Sequence, residues 1–543
     1  MKYSIIVPLA KKDKRYLKRC LLSLQDQDYE NYEVIVVCDG FKHELPIEDD
    51  RFSIYSTDKQ HGASYVRNFG AKKAKGKLYL FFDADCVLFP GMLSLVKDKF
   101  DKENCDFVYG GYRYNHATLS VYPSRPFDPW LIESMNYIST MSPMKKQVFE
   151  RVGGFNEDLP YFQDWDFFLR AVKEHHFKGY FLKDFMFQTE VPNRKSISGG
   201  LTHKWREKCL RLERLHDLPS RDICVTTLSA PYQAAERAKV LNARYVGAHS
   251  GSNLVQLPSQ FDFGAKAVIL QGFFPMAVED HMSVFPKDSL KIINWIGTDV
   301  WQLRNKFTWE SIKLIKERYL SQIDLQFCNS RVLQEELKEL GIHAEVVYQP
   351  LTEEIKAPPK APHKTISAYF SKGHPVHNEF FLKDLAASMP DYNFVFFGTG
   401  LNNKQSGNVR YVGWRPIQEA IDMTTLHLRI TSHDGFPHTP IYMLMGGRKV
   451  ICNFPLEYAD YIPDVPCEAS WEAMKTTLIN RIRESIDKPL AYDVKECQDY
   501  YKDLCNSHRY KEIMLSRINN YKGKKDAETK LCSTNKEQCS VSC

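Results

Sequence analysis

The chain lacks any apolar run of the roughly 18 residues that a membrane-spanning helix needs, so no part of it reads as a bilayer span. It also lacks a block of one charge sign. Its 73 basic and 67 acidic residues leave a formal net charge of +6, which tolerates anionic substrates or a membrane surface but does not call for nucleic acid. Its 14 cysteines contain no CxxC pair. Many sit singly in apolar runs such as Arg19-Cys20-Leu21-Leu22 and Leu325-Gln326-Phe327-Cys328. Reduced, buried thiols are therefore expected, and a zinc site is not, even among Cys532, Cys539 and Cys543 of the polar tail. No leader is expected, because Met1 runs straight into strand-like Tyr3-Ser4-Ile5-Ile6-Val7-Pro8. Residence in the cytoplasm, with room for association at a membrane surface, follows as the expectation.

What is present is globular: 43% hydrophobic and 26% charged residues. A length of 543 residues exceeds one hydrophobic core, so two or three domains are expected. Residues 3–8 read as a strand, and Leu17, Cys20, Leu21 and Leu24 carry helical spacing. Val34-Ile35-Val36-Val37 reads as the next strand and ends at Cys38-Asp39-Gly40. A helix over 66–74 then leads to a strand at 78–82. Near-continuous apolar strands alternating with helices predict an α/β fold with parallel sheets. A charged helix at 204–218 closes this block, giving a domain of residues 1–215.

A second α/β pattern spans 221–352, with strands at 223–226, 267–270, 291–295, 325–328 and 344–347 and a helix at 330–340. Prolines break the stretch 352–364 and mark a linker. A third block, 363–515, has strands near 365–370, 393–397, 409–412, 426–430 and 449–451 before terminal helices, and 520–543 reads as a disordered polar tail.

The strand at 78–82 ends in Asp83-Ala84-Asp85, two carboxylates one residue apart. They would stand at the carboxyl edge of a buried sheet, where open α/β sheets bind ligands. Carboxylates there commonly meet a small hard cation shared with substrate phosphates. Two acids in a turn are also what any solvated turn carries.

The ordered set Ser4–Pro8, Tyr32–Gly40, Arg67-Asn68-Phe69-Gly70, Asp83-Ala84-Asp85, Val152-Gly153-Gly154-Phe155 and Gln163-Asp164-Trp165-Asp166 resembles the inverting family 2 glycosyltransferases. The resemblance covers about residues 1–205. It implies a GT-A nucleotide-sugar-binding fold and transfer of a sugar, UDP-linked by expectation, from a nucleotide donor to a hydroxyl. It puts backbone beyond Pro8 near the base or ribose, Asp39 on the pyrimidine ring, Arg67 on the nucleotide or on Asp83, and Asp83 on the ribose or the metal. Asp85 would ligate Mn2+ or Mg2+ bridging the diphosphate, with His203 a further candidate ligand. Asp164 would be the general base, with Trp165, Asp166 and Gly154 shaping the acceptor site. One departure stands out: the acid that usually precedes the base is Gln163 here. Plainer readings exist for each: an Asx-turn at Asp39, a surface arginine at 67, an N-cap or an Arg170 salt bridge for Asp164, a loop histidine at 203.

Residues 223–500 resemble, more weakly, GT-B glycosyltransferases of the family 4 type. The features are Gly297-Thr298-Asp299-Val300, Phe396-Phe397-Gly398-Thr399-Gly400 and Ser432-His433-Asp434-Gly435-Phe436-Pro437-His438-Thr439-Pro440. They imply a two-lobed module of twin Rossmann-like folds. Gly435 and Thr439 would present backbone N–H groups to a sugar or phosphate, and Asp299, His433 and Asp434 are further candidates. Where that family has glutamates at both ends of E-x7-E, this chain has Asp434 and Tyr442, and its diphosphate-binding pair is reduced to Lys372.

Together these imply a bifunctional, metal-dependent, inverting glycosyltransferase acting on a glycan or glycolipid hydroxyl. Tandem modules would raise the local concentration of an intermediate. Alternatives are a single GT-A activity whose second half only binds glycan or acceptor, and a transferase acting on protein or on modified DNA bases, which a basic stripe would mark. Donor sugar, acceptor, linkage and oligomeric state stay open.

Overall fold

The computed structural model describes residues 2–521 except 116–120, 123, 125, 135, 191–204, 219, 228–230, 248–264, 274, 276–281, 283–284, 286–288, 357–361, 371–372, 375, 399–400, 402–403 and 463–470. His203, Lys372 and all but the start of the polar tail therefore lie outside the described residues. The chain forms two compact units, residues 1–266 with 283–287, and residues 267–282 with 288–543.

The first unit is built on β1 (Tyr3–Leu9), β2 (Tyr32–Cys38), β3 (Phe52–Ser56), β4 (Leu78–Phe81), β5 (Val87–Leu88), β6 (Phe107–Tyr114), β7 (Val121–Tyr122), β8 (Met144–Lys145) and β9 (Gly179–Thr189). Among the described residues they form one sheet in the order β3-β2-β1-β4-β8-β6-β9-β5, with β7 beside β6. The run β3-β2-β1-β4 is parallel, while β8 joins β4 antiparallel. All of β1 except Pro8 is buried, as a parallel strand covered on both faces must be. The helix Lys14–Gln25 buries Leu17, Cys20, Leu21 and Leu24, the face its spacing predicts. Chain order reverses between β1 and β4, so their carboxyl ends frame a topological switch point. Asp39 follows β2, and Asp83 and Asp85 follow β4, at that same edge. Later in this unit β10 (Ser220–Thr227) and β11 (Ala243–Gly247) pair in parallel across the helix Pro231–Leu241.

In the second unit β12 (Ala267–Gln271), β13 (Leu290–Trp295), β14 (Leu325–Cys328) and β15 (Glu345–Val346) lie side by side, parallel, in chain order. The helix Arg331–Glu339 starts where expected, because the Ser330 hydroxyl accepts the Leu333 N–H at 3.3 Å. A second sheet holds β16 (Thr365–Tyr369), β17 (Asn393–Phe397), β18 (Lys404–Ser406), β19 (Val409–Gly413), β20 (Leu426–Arg429), β21 (Lys449–Cys452) and β22 (Asp460–Tyr461). Its order is β18-β19-β17-β16-β20-β21-β22. Leaving out antiparallel β18, the parallel strands run 3-2-1-4-5-6, the doubly wound order of nucleotide-binding sheets. The helices Trp471–Ser485 and Val494–Leu504 follow.

Candidate active site

Asp83 and Asp85 leave β4 in a turn closed by the Cys86 N–H on the Asp83 carbonyl, 3.0 Å. Arg19 steadies the turn: its Nη2 donates to the Asp85 carbonyl at 3.0 Å and pairs with Glu190 at 2.7 Å. Burial first, then the charges of Asp83 and Asp13, push the Asp85 carboxyl up to about 6. Crowded hard oxygens of this kind fit a small divalent cation, which takes one or two carboxylates and completes its shell with phosphate oxygens and water. No cluster of three His, Cys, Asp or Glu side chains forms a metal cage among the described residues.

Arg67, on the helix Ala63–Lys73, is buried at 6% exposure. Its Nη2 donates to Asp83 Oδ1 at 2.7 Å and its Nη1 to Gln163 Oε1 at 3.0 Å. The next residue, Asn68, bonds both the N–H and the carbonyl of Phe155 at 2.9 Å and the Glu157 carboxylate at 2.8 Å. Consecutive side chains of one helix thereby join the acid turn to the second motif. Asp39 closes a nearby loop by accepting the N–H groups of His61 at 2.7 Å and Gly62 at 3.1 Å. The Asx-turn at Gly40 does not form, since the Gly40 N–H donates to Thr57 Oγ1 at 2.8 Å, and each Asp39 oxygen keeps a lone pair.

Asp164 lies in the first turn of the short helix Gln163–Leu169. Burial holds its carboxyl above the ordinary range, against a hydrogen bond from Asn136, the Trp165 N–H and the charge of Arg67. The residues around it point elsewhere. Trp165, 3% exposed, donates from Nε1 to the Ile132 carbonyl at 2.6 Å. Asp166, 0% exposed, takes Arg170 at 2.5 Å and His216 at 2.9 Å. Gly154 is buried at φ +80°, where an added Cβ would stand 2.8 Å from Asn68 Oδ1. These three residues, expected at the acceptor site, are buried. The arginine salt bridge considered for Asp164 belongs to Asp166, for a helical reason: Asp166 and Arg170 stand at i, i+4.

In the second unit, Asp299 is fully buried and accepts backbone N–H groups from Phe273 at 2.9 Å, Gly297 at 2.8 Å and Val300 at 3.0 Å. Its carboxylate is thereby committed to the turn that starts the helix Thr298–Lys306. His433 bonds Glu336 at 2.8 Å, and Asp434 bonds Arg429 at 2.7 Å. Gly435 passes so close to the 296–297 turn that a Cβ would lie 2.5 Å from the Ile296 carbonyl. Thr439 sits in the first turn of the helix His438–Met445, half-buried. Tyr442, standing where a glutamate was expected, accepts the N–H groups of Thr352 and Glu353 at 3.1 Å each.

Sequence reasoning passed over Asn68, Asn136, Arg170 as a partner of Asp166, and His216. Only the Asp166–Arg170 spacing gave a local signal; Asn136 meets Asp164 from well outside its helix, and His216 and Asn68 act across 50 and 87 residues.

Residues 4–155 match Glycosyl transferase family 2. An uncharacterized glycosyltransferase of Haemophilus influenzae is 27% identical over 213 residues, covering 37% of this chain and 72% of the relative. The uncharacterized glycosyltransferase YwdF of Bacillus subtilis is 23% identical over 236 residues, 40% of this chain and 87% of YwdF. Among solved structures, S. aureus TarS 1–349 in complex with UDP aligns at 19% identity and TM-score 0.30, over 40% of this chain and 65% of that one. The mannosyltransferase PcManGT of Pyrobaculum calidifontis, in complex with GDP-Man and Mn2+, aligns at 18% identity and TM-score 0.31, over 40% of this chain and 62% of that one. The chain thus carries a Glycosyl transferase family 2 domain at its N-terminus, and it is a glycosyltransferase.

Proposed function

We propose that the first unit transfers a sugar from a nucleoside diphosphate sugar, UDP-linked by preference, to a hydroxyl of a glycan or glycolipid, with inversion. The observation that carries this reading is Arg67, whose one guanidinium reaches Asp83 at the acid turn and Gln163 beside Asp164. Asp39 and the backbone beyond Pro8 border the donor's base and ribose, and Arg67 with Asp83 and Asp85 faces the diphosphate. In a single displacement Asp164 takes the acceptor's hydroxyl proton, the acceptor oxygen bonds the anomeric carbon, and the bond to the diphosphate breaks with its electron pair leaving on phosphate oxygen. Burial suits Asp164 to this, since a raised pKa makes a stronger base. A divalent cation, Mn2+ or Mg2+, held by Asp83 and Asp85 would neutralise the charge on the departing diphosphate.

The test is release of nucleoside diphosphate across a panel of UDP- and GDP-sugars, with and without Mn2+, for the wild type and Asp164→Asn. Loss of turnover with donor binding retained is expected. Turnover at the wild-type level in Asp164→Asn would remove the base assignment.

Residues 221–352 with 363–515 are read as a GT-B-like module, a reading supported by the doubly wound order of the sheet β16 to β22. Two readings of it remain: a second transferase, or a module that binds glycan or acceptor without turnover. The pairing of Asp434 with Arg429 and the use of Tyr442 as a linker anchor favour binding. Product composition unchanged by Asp434→Asn is the expected result under that reading.

A further inference from the structure

The α-helix Gln163–Leu169 that carries Asp164 runs directly into the π-helical turn Arg170–Glu174, a run still short enough to depend on tertiary anchors for its orientation. It begins at Phe162, whose φ of +60° puts a bulky residue in the left-handed region. Each sequence neighbour of Asp164 is tied to a distant group: Gln163 to Arg67, Trp165 to the Ile132 carbonyl, Asp166 to Arg170 and His216. The Asp166 ties differ in kind. Arg170 follows on the same run of chain, and it carries the pull of Asp166 to the carbonyls of Val152 at 2.6 Å and Gly154 at 2.9 Å. His216 arrives from elsewhere, 50 residues on, at the end of the helix Trp205–His216. Its backbone carbonyl is gripped in turn by Lys173 at 2.9 Å. An ionised carboxylate only accepts, so the His216 Nε2 that lies 2.9 Å from Asp166 Oδ1 carries the proton. The contact is buried, with His216 4% and Asp166 0% exposed at the side chain.

Resting on the reading of Asp164 as general base, we infer that His216 is a positioning residue for that base, acting through Asp166. The Asp166 carboxylate is bonded both to Arg170, later on the same helical run, and to His216, which reaches this helix from a separate one. Together they fix the rotation of this helix about its own axis and so the direction in which Asp164 projects. His216 touches no reacting atom. Its loss would therefore appear in the rate of the chemical step and not in the grip on the donor.

The test uses the full-length chain, following nucleoside diphosphate release from UDP-glucose, UDP-N-acetylglucosamine and GDP-mannose with Mn2+, and UDP binding by calorimetry. His216→Leu should lower kcat by about 10- to 100-fold, the scale of a small misplacement of a catalytic group, with the donor KM and UDP affinity held. His216→Gln, which can still donate to Asp166, should recover most of that loss, and His216→Asn, with a shorter reach, should not. In an Asp164→Asn background, His216→Leu should change nothing further. Wild-type kcat in His216→Leu, a loss carried by donor KM, or equal kcat in the Gln and Asn variants would each overturn the inference while leaving the base reading intact. Wild-type turnover in Asp164→Asn would instead overturn the base reading, and this inference with it. If the Leu variant does not fold, the comparison of Gln with Asn decides.

Discussion

Arg67 donates from Nη1 to Gln163 Oε1 across 3.0 Å, joining residues 96 positions apart. Because the glutamine is neutral, it orients the guanidinium without consuming its charge. That charge remains for Asp83, at 2.7 Å, and is felt at Asp164. The departure from the family pattern at position 163 thus has a physical consequence: it sets how much positive potential Asp164, the proposed base, receives.

Gln163→Glu therefore moves the pH dependence. A carboxylate beside Asp164 opposes its ionisation and draws on the same guanidinium, so the Asp164 pKa rises further. More of the base is protonated at a given pH, and the acidic limb of kcat shifts upward by about 0.5–1 pH unit. The measurement is a pH–rate profile of nucleoside diphosphate release. An unmoved limb would show that Arg67 and its partner do not influence the base.

Arg67→Lys is not a conservative change here. A single ammonium cannot reach two acceptors in the fixed fork of a guanidinium. A loss in kcat/KM of about 10- to 100-fold is expected, with a lowered thermal midpoint, since Asp83 and Gln163 lose a shared buried partner. Steady-state kinetics and thermal unfolding of the variant read both.

Acid should weaken the second unit before carboxylates begin to titrate. Burial, helped by the Arg429 charge, lowers His377 to about 2 and His427 to about 3. The unfolded chain takes up protons at these positions near the ordinary histidine value, while the folded chain resists. Stability is then greatest above about pH 6.5 and falls as the pH drops through the window down to the folded-state values, at up to about 1.4 kcal/mol per pH unit per histidine. Denaturant midpoints measured from pH 7.5 to 5 should fall, and His427→Gln should fall less steeply.

Tyr442→Phe removes the acceptor for the N–H groups of Thr352 and Glu353. A loss of about 1–2 kcal/mol is expected, at the low end for two stranded donors because the linker is partly exposed to water. Equilibrium denaturation checks the stability, and nucleoside diphosphate release by the first unit should stay at the wild-type level.

Local order along the chain was readable from the residues. The strands at 34–37 and 78–82 and the helix over Leu17–Leu24 recur almost as spaced, because a buried parallel strand and an amphipathic helix each impress their period on neighbouring residues. The Asp83-Ala84-Asp85 turn was legible for the same reason: it follows its strand directly. The burial of Trp165, Asp166 and Gly154 was not. A motif shows which residues keep company in sequence, but not which of them face solvent, and Asp166 has no exposed surface at all.

What amino-acid order alone could settle was whatever depends on neighbours within a turn or a strand: the alternating α/β elements and the acid pair that follows its strand. What needed the folded chain was each contact made across long stretches of it, Arg67 with Gln163, Asn68 with Phe155 and His216 with Asp166. Such pairings leave no periodic trace, because chain segments far apart meet only after the sheet has set their positions, and any polar side chain of the right length could have filled either end.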